Sequence, residues 1–101
     1  MLIYNVTTQV SHAIHAKWVQ WMKEKHIPEV MATGCFTTHR FVRVLDVDET
    51  EGVTYAAQYH AENRDIYEQY IEHHAPALRK DMQEIFGDQF ISFRSLMEVV
   101  N

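Results

Sequence analysis

The sequence is poor in the residues that would fix its class most directly. A single cysteine, Cys35, excludes an internal disulfide and fits a reducing compartment. Two prolines and three glycines leave little material for linkers, so one domain over residues 1–101 is expected. No stretch approaches the ~18 consecutive apolar residues of a membrane span. Met1 to Asn5 has neither a charged segment nor an apolar run of signal length. Basic residues are also scarce: nine Lys and Arg face fourteen Asp and Glu, a net charge of −5. The only basic cluster is Arg79-Lys80, with Arg40 and Arg43 spaced along a strand, which argues against a nucleic-acid or anionic-membrane surface. There is no Cys pair, no His-Glu-x-x-His and no Gly-rich phosphate loop, so neither a metal nor a cofactor is expected. A cytoplasmic location is the expectation that follows.

What is present is patterned. Residues 2–10 alternate as a strand, and Ser11 is placed to cap a helix over 12–26 carrying Ile14, Trp18, Trp21 and Met22 at helical spacing. His26-Ile27-Pro28 should end or kink that helix, because Pro28 lacks the N–H that would bond the Glu24 carbonyl. A short turn from Pro28 to Ala32 then runs to a stop at Gly34. Strands are expected over 35–46 and 53–60, joined by the polar turn Asp48 to Gly52. Asn63 should cap a second helix through Ile66, Tyr67, Tyr70 and Ile71. His74-Ala75-Pro76 repeats the break, and a further helical piece runs to Gly87 before a last strand over 89–100. The order β-α-β-β-α-β predicts an α+β fold, a ferredoxin-like sandwich with a four-stranded antiparallel sheet and helices on one face. The uncovered face is expected to show Ile3, Phe41, Phe90 and Leu96 among Asn5, His39, Gln58 and Arg94. Such a face would be covered by a second copy, making a homodimer.

The run from Trp18 through Trp21, Met22 and His26-Ile27-Pro28 to Gly34 resembles a family of small proteins described as a domain of unknown function. Val53-Thr54-Tyr55, the segment His74 to Arg79, and Phe86-Gly87 extend the resemblance over nearly the whole chain. It implies the dimeric α/β-barrel superfamily, in which two ferredoxin-like subunits join their sheets. Cofactor-free monooxygenases, haem-degrading enzymes and lactone isomerases belong to that superfamily, with ligands held between helices and sheet.

Two readings of the candidate residues stand side by side. In one, His26 and His74 reach a pocket with Trp18 and Trp21 above it and Tyr4 and Tyr55 as its floor, and one imidazole moves a proton or ligates a haem iron. Arg79, just past the second break, could then bind an anionic ligand, or instead pair with Asp65 or Glu72. In the other, the histidines satisfy helix ends and the aromatics pack solidly. Cys35 and His39, four apart at about 3.3 Å per residue, are too distant for a catalytic pair. Glu68 and Glu72 read as a solvated helix face. A cavity of several hundred Å³ beneath the first break favours the pocket, and solid packing favours the second reading.

Overall fold

A computed structural model describes residues 1–101. Four strands, β1 (Leu2–Val10), β2 (Thr38–Arg43), β3 (Val53–Ala61) and β4 (Phe90–Glu98), form one sheet in the order β2-β3-β1-β4. All three pairings are antiparallel. Helices α1 (His15–Trp21), α2 (Ile27–Ala32), α3 (Arg64–His73) and α4 (Ala75–Phe86) complete the chain. This is the ferredoxin-like βαββαβ arrangement that the element order predicts.

Register assigns the faces. Tyr4 lies opposite Tyr59 and Leu96, Val6 opposite Ala57 and Arg94, and Thr8 opposite Tyr55 and Ser92. This face packs beneath the helices, with Val10, Trp18, Val30 and Tyr59 the largest fully buried side chains. Residues offset by one point the other way: Ile3, Asn5, Val42, Gln58, Ile91, Phe93 and Met97. The expected open face is therefore right for Ile3, Asn5 and Gln58. It is wrong for Phe41, Phe90, Leu96, Arg94 and His39, which register places on the helix side. The cause is local. Both faces of β4 are rich in large apolar residues, so alternation cannot choose between them; the ladder with β1 does. In β2, Phe36 is buried but precedes the strand, so its parity does not carry forward to Phe41.

The two His-x-Pro motifs behave differently. At the first, the helix does not end. Met22–His26 forms a π-helical turn that continues straight into α2, and the Ile27 N–H bonds the Met22 carbonyl five residues back. The widened turn makes room for the Pro28 ring where an α-helix would clash. At the second, His74 leaves helical geometry at φ −121°, and Pro76 enters the first turn of α4, where its missing donor is not needed.

Asn63 caps α3 as expected, accepting from the Ile66 N–H at 2.9 Å. Ser11 does not cap α1, which starts at His15; its hydroxyl donates to Gln89 instead. The hairpin between β2 and β3 closes at Gly52, where an added Cβ would press into the Val10 carbonyl. Gly52→Ala is therefore expected to lower unfolding free energy by about 1–3 kcal/mol, read by urea titration; an unchanged midpoint would contradict this packing.

Candidate functional site

Between the helices and the sheet lies a cavity of about 420 Å³, lined by 19 residues, 13 of them hydrophobic. Its size lies within the range of sites that hold small organic molecules. β1 and β3 supply the floor through Tyr4, Thr8, Tyr55 and Tyr59, because inward-facing positions recur at every second residue. Trp18, Met22 and His26 form one wall, and Leu78, Arg79 and Met82 from α4 the other. Phe90 and Arg94 close the edge strand.

Of the residues singled out from sequence, Tyr4, Trp18, His26, Tyr55 and Arg79 come together around this space. Trp21 and His74 do not. Trp21 stands behind His26, stacked on its ring at 4.9 Å and 25°, with Phe86 edge-on at 5.4 Å. Trp21 and His26 are five residues apart, which on an α-helix separates them by about 140° of arc; the π turn brings the rings together. His74 stacks against Tyr70 at 6.2 Å, and it is Tyr70 that lines the cavity. The helix break at His74 thus diverts the second imidazole from the place assigned to it.

Electrostatically the cavity is a region of suppressed ionisation. Burial pushes the His26 imidazole down to about 4, only partly opposed by Glu29 and Asp81. His26 is therefore neutral at ordinary pH. Burial also raises Tyr59 and Tyr70 well above the usual phenol range. Tyr4 is raised by burial, with Arg79 opposing through the hydrogen bond that its Nη2 donates to the Tyr4 hydroxyl at 3.3 Å.

Three buried polar atoms on the cavity's lining residues have no protein partner: Trp18 Nε1, His26 Nδ1 and Tyr59 Oη. A buried polar group left unpaired costs about 1–3 kcal/mol. The sequence also gave no sign of a contact at the far end of the floor, where His15 Nε2 meets the Tyr55 hydroxyl at 2.6 Å across forty residues. Arg94 was missed for the reason that misplaced β4, since its strand face could not be read from alternation.

No curated protein matches the sequence. Solved structures do. An ethyl tert-butyl ether d (EthD) family protein from Bacillus halodurans C-125 superposes at TM-score 0.72 with 12% identity, covering 99% of this chain and 100% of that one. A dimeric ferredoxin-like protein from an uncultured marine organism gives 0.69 and 12%, covering 100% and 96%. A point mutant of SnoaB, a cofactor-independent oxygenase from Streptomyces nogalater, gives 0.66 and 17%, covering 99% and 94%. At these identities the likeness establishes the fold. The sequence itself establishes the family: the model for Domain of unknown function (DUF4286) matches residues 1–100, and the chain belongs to that family.

Proposed function

We propose that the protein binds a planar, largely apolar small molecule between its helices and sheet, and acts on it as a cofactor-independent oxygenase or isomerase of an aromatic or enolic substrate. The observation that carries this reading is the largely apolar cavity of about 420 Å³ between helices and sheet. SnoaB, a cofactor-independent oxygenase, shares the fold and supports the reaction class by analogy. Both reactions begin with loss of a proton from carbon or oxygen beside a conjugated ring. His26 is the residue placed to take it, and Trp18, Tyr55 and Met22 exclude water from the site. Trp21 would act behind His26 by holding its ring.

The protein works as a homodimer in this reading, as residues 1–101 form one domain in a reducing cytoplasmic setting. The second copy would cover the open sheet face, where Ile91, Phe93, Val42 and Met97 are exposed. Asn5, in the same face, has a buried side-chain oxygen with no partner. A ferredoxin-like protein with the same fold is described as dimeric.

A second reading is a binding module without chemistry. It is favoured by one observation, that an imidazole held near 4 is a weak base until charge develops beside it. Both readings require an occupied cavity. Native mass spectrometry of gently purified protein is expected to show a dimer carrying a small extra mass. Ala57→Phe, which fills the floor, should lose it. A dimer without extra mass that also fails to quench its tryptophan fluorescence with naphthol would overturn the ligand site.

A further inference from the structure

The cavity is unusual in the sign of what it offers. None of its lining residues is an Asp or Glu, although the chain as a whole carries −5. Its formal charges are Arg79 and Arg94. Neither belongs to an ion pair; the four pairs in the fold use Lys25, Arg43, Arg64 and Lys80. Both arginines are solvent-exposed and border Tyr4. Arg79 donates to the Tyr4 hydroxyl, and Arg94, opposite Val6 on the neighbouring strand, is the diagonal neighbour of Tyr4 on the same face. The positive field of Arg79 also reaches Tyr67 and Tyr70.

Trp18 Nε1 can only donate, and Tyr59 Oη has an O–H to donate; both residues are at least 98% buried. Tyr4 accepts from Arg79, which leaves its own proton free. The Tyr59 hydroxyl can also accept, as can His26 Nδ1 in the neutral ring. A largely apolar slot with no carboxylate in its lining and two guanidinium groups outside any ion pair at one end is complementary to an aromatic anion. An ammonium compound would meet like charge there.

We propose that Arg79, supported by Tyr4 and Arg94, binds the carboxylate of an aromatic acid whose ring lies against Trp18 and Tyr55. This rests on the cavity being a ligand site and names the class of ligand it takes. Arginine suits the role because its planar fork meets a carboxylate through two parallel hydrogen bonds.

The test uses the full-length protein and two probes, hydroxynaphthoate and naphthol, which share a ring system and differ in the carboxylate. Binding is read by quenching of tryptophan fluorescence. Wild type should bind hydroxynaphthoate at least about tenfold more tightly than naphthol. Arg79→Met should erase that preference by weakening hydroxynaphthoate far more than naphthol, and Arg79→Lys should restore part of it. Arg94→Lys, which keeps the charge, should retain most of the preference, and Arg94→Gln should lose part of it; this pair carries the test if Arg79→Met melts early. Equal affinity of wild type for the two probes, or an Arg79→Met that weakens both alike, would overturn the assignment. Failure to bind either probe would instead bring down the ligand site itself.

Discussion

Phe93→Asp is expected to convert the protein to a folded monomer. Phe93 and Ile91 are 61% and 70% exposed in the single chain, and they lie on the face the helices leave bare. Burying a large apolar side chain stabilises by about 1.5–3 kcal/mol, and an interface with twofold symmetry counts every such contact twice. An aspartate in that position loses the contact and faces apolar surface without a partner charge. The combined loss raises the dimer dissociation constant by roughly a thousandfold or more. In the monomer the same position is solvated, so secondary structure and melting should change little apart from the lost mass-action stabilisation. Sedimentation velocity across a concentration series reads the result. Dimerisation of Phe93→Asp at wild-type strength would remove the sheet face as the interface.

The second large effect is on acid stability. His26 titrates near 4 in the folded protein against an ordinary 6.5, because burial disfavours the charged ring. Between those values the unfolded chain binds a proton that the folded chain refuses. Stability is therefore fully present above about pH 6.5, falls as pH drops toward 4, and loses about 3 kcal/mol over that window. Glu29 and Asp81 favour the charged ring, yet burial, joined by Lys25, outweighs both. His26→Phe keeps an aromatic ring against Trp21 and cannot titrate. The difference in urea unfolding free energy between wild type and His26→Phe should shift in favour of the variant by about 2 kcal/mol between pH 7 and pH 4.5. Parallel pH profiles would mean the imidazole is solvated and free to protonate, which contradicts its place in the site.

The fold was legible because its signals are local and redundant. Strand alternation in β1 and β3, the Asn63 cap and the glycines at helix ends each report on their own few residues. The site was half legible. Tyr4, Trp18, His26, Tyr55 and Arg79 sit on elements whose inward faces alternation or helical spacing predicts. Trp21 against His26 was not readable, since a five-residue separation points to different helix faces unless a π turn intervenes, and nothing in a 3.6-residue period announces one. His74 was read by analogy with His26, but a proline in the first turn of a helix and a proline after a widened turn leave their neighbouring histidines in different places. The faces of β4 were invisible for a different reason. Where both sides of a strand are apolar, only the partner strand can say which is inside.

That edge strand has a consequence for how the protein behaves in concentrated solution. β4 pairs with β1 on one side only, so its other side presents unpaired backbone along nine residues. Its sequence from Phe90 to Met97 is one that readily adds to another chain as cross-β structure, and the single formal charge within it is Arg94. Arg94, which supports Arg79 in the proposed anion site, would thus also be the charge that guards this edge against fibrillar self-association. A bound acid that neutralises it acts in opposition: occupancy stabilises the native fold by mass action while weakening the repulsion that keeps neighbouring edges apart.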